Sequence, residues 1–363
     1  MRILASPAFI NKKINPYNSL LYHEIKALDV THPQKKHTVC EYSHKKALLE
    51  QFDIVHFHWP DGYINQPRLG KAVQRVLLFA VIILALTFKR QKIVWTVHNA
   101  TPHDAYHPKL SNYFMNWFIR RCDGFIFMST ESRTQFLSLY KKMESTDYAI
   151  IPHGHYRNSY HAGLDTALAK AQLGLPADKK VLLFCGMIKP YKNIDSLIKI
   201  FMQANIPNTV LLIAGDPSSD THAENLRRLQ SNHANVYLFL NFIPDETLHN
   251  YLSAADAVIL PYKHSLNSGA LLLALSFNKP VIAPNIGAFI ATQKELGVAW
   301  IHCYEGELSA STLTYALEEV DRLKRPEKCP LENYEWSKLA TSTVAFYQCL
   351  FLKTSPTNQT HLL

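Results

Sequence analysis

Short apolar runs recur along the chain, spaced widely enough to leave a helix between each pair. The runs at 2–9, 53–59, 92–98, 124–129 and 149–154 are mostly apolar on both faces and rich in β-branched and aromatic residues. After a polar stretch around 157–180 the pattern restarts, with runs at 180–186, 209–215, 236–242, 257–262 and 279–284. Strands buried on both faces and separated by helical spacers are the mark of parallel sheets covered on both sides. Two successive blocks of this kind predict an α/β chain of two Rossmann-like domains, 1–160 and 161–334, joined near 155–175.

One run breaks the pattern. Residues 76–88, VLLFAVIILALTF, lie between Arg68, Lys71 and Arg75 on one side and Lys89, Arg90 and Lys92 on the other. Thirteen residues fall short of the about 20 that a membrane-spanning helix needs. Two expectations follow: a helix buried against the first sheet, or one partly sunk in a membrane surface with its basic flanks on anionic headgroups.

The bulk properties narrow the partners. A chain of 363 residues is long for one core and suits two domains. A net charge of +9 points to anionic partners, either a phosphorylated metabolite or an acidic membrane surface. Nucleic acid is the weakest reading, because the lysines are dispersed and no recognised binding motif occurs. The six cysteines, at 40, 122, 185, 303, 329 and 349, form no CxxC pair and read as buried thiols in a reducing compartment. The start, MRILASPAFI, lacks the features of a signal peptide, so a cytoplasmic location is expected.

In doubly wound sheets ligands bind beyond the carboxyl ends of the strands. The polar residues there are Asp61, His98, His153, Lys189, Asp216 and Ser268. In GMIKPYKNIDSLI (186–198), Lys189 and Lys192 follow a strand, and two ammonium groups three residues apart can hold one diphosphate. In SLNSGALLLALS, Ser268 and Gly269 open a helix expected over 269–277, whose free amide N–H groups suit an anion. Together the two segments are expected to frame a diphosphate site in a cleft facing the first domain.

The first domain offers groups for proton transfer. Asp61, in HFHWPDGY (56–63), sits behind an aromatic and a proline, where desolvation raises a carboxyl toward the range of a general base. The stretch WTVHNATPHDAYHP (95–108) holds His98, His103, Asp104 and His107. Only His103 and His107 have helical metal-ligand spacing, and Pro102 and Pro108 interrupt a helix there, so no metal site is expected. Asn15, Pro16 and Tyr17 mark the start of the first helix on the acceptor side. His153 and His155 flank Gly154, which is expected to permit a bend at the interdomain crossing.

The segments LLFCGMIKPYKNIDSLI, LLIAGDP, FIPDETLHNYLSAADAVILPY and SGALLLALSFNKPVIAP, in that order, resemble the nucleotide-sugar half of a GT-B glycosyltransferase. The resemblance is to the family-four-like group that builds bacterial exopolysaccharides and capsules. EWSKLATSTVAFYQCL (335–350) resembles that fold's closing helix, which implies that 335–352 crosses back to the first domain. The resemblance implies an enzyme moving a hexose from a GDP- or UDP-linked sugar to a lipid-linked or polysaccharide acceptor, and the basic, apolar segment 68–92 adds the expectation that it sits peripherally on the inner face of the membrane. It implies no cofactor or metal beyond the nucleotide-sugar donor. Lys189, Lys192, Asp216, Ser268 and Gly269 would form the donor site, and His98 resembles the strand-end histidine near the reacting sugar.

The sequence also departs from that family. Its two usual glutamates, eight positions apart, are replaced by Ser265 and Leu273, and the usual arginine after the glycine by Met187. Donor identity and retention of anomeric configuration therefore do not carry over. On an inverting course the base is expected to be Asp61, with Asp104 second. The rival readings are a nucleotide-sugar epimerase of the same fold and a non-catalytic partner subunit.

Overall fold

The computed structural model describes residues 1–10, 15–31, 36–99, 106–161, 163–231 and 233–352. Among the described residues twelve strands form two parallel six-stranded sheets, two strands more than the ten apolar runs. The first sheet contains β1 (Arg2–Ser6), β2 (Thr38–Glu41), β3 (Ile54–Phe57), β4 (Lys92–Thr96), β5 (Gly124–Phe127) and β6 (Asp147–Ile150), in the order β2-β1-β3-β4-β5-β6. The second contains β7 (Lys180–Cys185), β8 (Thr209–Ala214), β9 (Val236–Phe239), β10 (Ala257–Ile259), β11 (Val281–Pro284) and β12 (Ile301–Tyr304), in the order β12-β11-β10-β7-β8-β9. Each sheet belongs to its own compact unit. One comprises Met1–Gly154 and the chain from Asn333 on; the other is His155–Glu332. The chain thus passes between units at 154/155 and 332/333, where the sequence placed the borders at 160 and 334.

Two strands were not expected. β2 (TVCE) and β12 (IHCY) lie at sheet edges, and each mixes polar with apolar residues, so neither forms an apolar run. The expected runs also overshoot the strands. His58, Trp59, Val97 and His98 follow the last paired residues of β3 and β4 and occupy loops beyond them.

Helix Trp336–Leu352 lies against helix Tyr17–Thr31 in the first unit, with Leu339, Ala340, Val344 and Tyr347 in the same core as Tyr22 and Ile25. Gly154 is not among the glycines with a left-handed backbone. It leaves space instead: a Cβ there would stand 2.3 Å from the Trp336 ring. In the second unit, helix Ile194–Ala204 buries Ile194, Leu197, Ile198 and Phe201, the i, i+3, i+4, i+7 stripe of an amphipathic helix.

The apolar run of the first unit lies in a longer helix, Leu69–Phe88, of 20 residues. At 1.5 Å per residue it is about 30 Å long, so the shortfall inferred from thirteen residues disappears. Its Ala72, Phe79, Ile82, Ile83 and Leu86 are buried. Phe79 meets Phe57 of β3 at 5.3 Å between ring centroids and also contacts Phe114 and Phe118, so one face belongs to the protein core. Leu69, Val73, Leu77, Val81, Leu84 and Phe88 are exposed. At about 100° per residue they line the opposite face as one stripe.

Candidate active site

In the second unit, the loops after β7 and β8 are tied together by backbone bonds. The Ile188 N–H donates to the Asp216 carbonyl at 2.7 Å, and the Ser218 N–H donates to the Ile188 carbonyl at 3.0 Å. The loops approach so closely at Gly215, where φ is +156°, that a Cβ would stand 2.0 Å from the Gly186 carbonyl oxygen. This strap turns the chain into the short 3₁₀ turn Pro190–Lys192, followed by Asn193 in the left-handed region at φ 61° and helix Ile194–Ala204. Lys189 is half-buried, whereas Lys192 is only 8% exposed.

The Lys192 ammonium lies 5.3 Å from the Tyr262 ring centroid and 5.7 Å from that of Phe184. Burial pulls its pKa down to about 8; Cys185 opposes that shift and Lys189 adds to it. No carboxylate among the described residues is paired with Lys192. Tyr262 carries the site onward, since its hydroxyl is hydrogen-bonded to Ser268. Ser268 caps helix Gly269–Ser276, its hydroxyl accepting the Leu271 N–H at 3.3 Å. The helix ends one residue before the expected 277. Beside the tip, the Lys263 N–H donates to the Tyr191 carbonyl at 2.8 Å, and the His264 and Tyr191 rings stack at 5.4 Å. The lysine turn and the helix tip thus adjoin within one unit, through Tyr262 and Tyr191. Asp216 contributes its carbonyl to the strap and is exposed.

In the first unit, a buried aromatic and histidine cluster forms beyond β3 and β4. Tyr17 opens helix Tyr17–Thr31, its N–H donating to the Asn15 side-chain oxygen at 3.0 Å. The Tyr17 ring is in edge or tilted contact with His58, His98, His153 and Trp336. His98 stacks under Trp59 at 4.3 Å with the ring planes 20° apart, and its Nε2 lies 3.0 Å from Nδ1 of His58. Burial holds the imidazoles below their ordinary pKa: His153 at about 4, His56 at about 3, and His58 and His98 also far down. His153 bonds the adjacent Gly154 carbonyl through Nδ1 at 2.8 Å.

Asp61 opens the short helix Asp61–Ile64, two residues after Trp59. Burial raises its pKa, while the N–H groups of Asp61 and Gly62 partly restrain the rise. A carboxyl with a raised pKa next to a histidine-rich pocket is suited to take a proton. Asp104 and His103 lie outside the described residues. Among the described residues no three histidine, cysteine or carboxylate side chains are placed to hold a metal ion.

The structure therefore brings together Tyr17, His98 and His153 in one unit and Lys192 and Ser268 in the other. The sequence reading missed His56, His58, Tyr22, Tyr347 and Tyr262. The alternation His56-Phe57-His58 was the available signal, because residues two apart in a strand share a face.

Parallel Rossmann-like sheets in two units, with the second carrying a lysine turn and helix tip, define a GT-B fold. Residues 165–328, within the second unit, match the family Glycosyl transferases group 1. Over 93% of its length the chain is 28% identical to the GDP-mannose:glycolipid 4-beta-D-mannosyltransferase of Xanthomonas campestris pv. campestris, covering 89% of that protein. Among solved structures it is similar to HepE of Anabaena in complex with UDP-glucose, at 15% identity and a TM-score of 0.61, covering 97% of this chain and 98% of that one. A glycosyltransferase from Rickettsia africae matches at 14% identity and a TM-score of 0.62, over 97% and 99% of the two chains.

Proposed function

We propose that the chain is a hexosyltransferase that uses a nucleoside-diphosphate sugar and a lipid-linked saccharide acceptor in surface-glycan synthesis. The observation that carries this reading is Lys192, a buried ammonium with no carboxylate partner among the described residues, held beside Tyr262 and the Ser268 helix tip. Such an ammonium is costly until an anion arrives. A donor diphosphate supplies two phosphates: one for Lys192 and Lys189, the other for the free N–H groups at Ser268 and Gly269. As the sugar–phosphate bond breaks, the same groups stabilise the charge left on the diphosphate, the place a metal cation takes in other enzymes. Asp61 is the base for the acceptor hydroxyl on an inverting course. Asp216 keeps only a structural part in this scheme, through its carbonyl.

A GDP-linked hexose is the first donor to test, because the Xanthomonas relative is named for GDP-mannose and a glycolipid. A lipid-linked acceptor also fits the exposed apolar stripe of helix Leu69–Phe88 and its neighbouring Lys71, Arg75 and Arg90, which suit an anionic membrane surface. The direct test is transfer of radiolabelled mannose from GDP-mannose into bacterial glycolipid extract. Label should enter the organic phase with wild type and fall sharply with Asp61→Asn. Turnover of the donor without any acceptor would favour an epimerase, and no turnover of GDP- or UDP-sugars would leave only a binding subunit.

A further inference from the structure

Strands β3, β4 and β5 are parallel neighbours in chain order. Right-handed crossovers therefore place the helices between them, Leu69–Phe88 and Pro108–Ile119, side by side on one face of the sheet. Phe79 of the first helix meets Phe114 and Phe118 of the second at 5.3 and 5.9 Å between ring centroids. The second helix buries Ser111, Phe114, Met115, Phe118 and Ile119. At about 100° per residue, Phe114, Trp117 and Tyr113 follow one another round it in steps of about 60° and 40°. That order leads from the seam with the first helix out to the surface, where Trp117 is half-buried and Tyr113 is 75% exposed. The Arg121 guanidinium stands over the Trp117 ring at 5.4 Å from its centroid.

Charge selects what can cover this face. Neither helix carries a carboxylate, and none occurs anywhere in 62–99 or 106–122. Lys71, Arg75, Arg90, Lys109, Arg120 and Arg121 are all exposed there. A second copy of the chain would bring like charge against like. An anionic phospholipid surface accepts both parts of the face. The apolar stripe of Leu69–Phe88 enters the acyl boundary, while amphipathic Trp and Tyr rings and arginines are favoured at headgroup depth. Helix Leu69–Phe88 is long and apolar enough to cross a bilayer, but crossing would draw Phe79, Ile82, Ile83 and Leu86 out of the core. It therefore lies along the surface.

We propose that helix Pro108–Ile119 is a second membrane-contacting element, with Tyr113, Trp117 and Arg121 at the headgroups of an anionic bilayer beside the sunken stripe of Leu69–Phe88. The inference widens the membrane contact of the proposed function from one helix to two, and it rests on that contact and not on the transfer reaction. Helix Asp61–Ile64 borders the same face, its Tyr63 ring 5.1 Å from that of Phe79. A saccharide whose lipid stays in the bilayer thus approaches Asp61 from this side.

The test uses the full chain and vesicles of mixed phosphatidylglycerol and phosphatidylcholine, the latter brominated along its acyl chains to quench nearby tryptophan. Trp95, Trp300 and Trp336 are buried, so quenching at saturating vesicle should fall at least about twofold in Trp117→Phe. A basic side chain near an anionic surface is worth about fivefold in partitioning, so Arg120→Gln/Arg121→Gln should bind about 25-fold more weakly. That difference should shrink on phosphatidylcholine alone, with the thermal transition checked so that unfolding is not misread. Wild type that leaves the anionic vesicles unbound overturns the proposal, and that result needs no variant to fold. Equal quenching in wild type and Trp117→Phe, or undiminished binding of the folded arginine variant, would overturn the role of the second helix. Self-association without vesicles that Trp117→Arg abolishes would assign the face to a second copy instead. Titration of GDP-mannose without vesicles tests the transferase reading separately, so failure of one is not mistaken for failure of the other.

Discussion

Lys192 ties binding and stability together with opposite signs. Its folded pKa of about 8 lies below the ordinary 10.5, so the fold favours the neutral amine. The unfolded chain then binds more protons between those values, and this group's contribution to stability rises with pH from about 8 to 10.5. Below pH 8 the charged amine costs the fold about 3.5 kcal/mol at most, at about 1.4 kcal/mol per unit. Lys192→Met should therefore raise the denaturation midpoint at pH 7 while weakening the donor, and the stability gain should vanish near pH 10.5. A midpoint that falls instead would mean that the ammonium is satisfied within the fold. In the wild type, diphosphate binding favours the charged amine, so affinity for GDP-mannose should decline as pH rises through about 8, with proton uptake on binding. Calorimetry in two buffers of different ionisation enthalpy measures that uptake.

At this scale the sequence showed the lysines, Asp61 and His98, because strand ends in doubly wound folds are where ligands meet side chains. It did not show what surrounds them. Tyr22 and Tyr347 reach His56 from helices 34 and 291 residues away in the chain, and no local pattern encodes that distance.

Among the elements, helix Leu69–Phe88 carries the clearest division of labour. Phe79 is 1% exposed and packed by four rings, those of Phe57, Tyr63, Phe114 and Phe118, so Phe79→Ala should cost about 3–5 kcal/mol, read from chemical denaturation. Leu77 and Val81, at 62% and 56% exposed, lie on the other face. Their double substitution by Asp should leave stability within about 1 kcal/mol and abolish cosedimentation with vesicles rich in phosphatidylglycerol. Undiminished sedimentation of the double variant would remove the membrane from this face. Central strands were legible as unbroken apolar runs, whereas β2 and β12 were not, since an edge strand is partly open to solvent and tolerates polar residues.

For the whole molecule, the buried imidazoles set an acid limit. His56 and His153 hold folded pKa values of about 3 and 4 against an ordinary 6.5. Below pH 6.5 the unfolded chain takes up protons that the fold refuses, so stability falls as pH drops from 6.5 toward 4. Each such histidine steepens the loss by up to about 1.4 kcal/mol per pH unit. The midpoint of urea unfolding should therefore fall clearly between pH 6.5 and 5, and His153→Phe should flatten the slope. An unchanged midpoint over that range would contradict neutral burial of these rings. The two-unit α/β plan was readable from repeated apolar runs, and the donor-side motifs from their order. Ser265, in the turn before the helix tip, donates its hydroxyl to the Asn267 carbonyl of that same turn, a local bond that no apolar pattern encodes.

The claim beneath the rest is that Lys192 and the Ser268 helix tip hold a donor diphosphate. Isothermal titration of GDP and GDP-mannose into wild type and Lys192→Ala at pH 7 tests it most directly. Loss of one charge-assisted contact is worth about 1.5–3 kcal/mol, so affinity should drop roughly 10- to 150-fold with the fold intact. Equal affinity for the two proteins would place the diphosphate elsewhere and contradict the site.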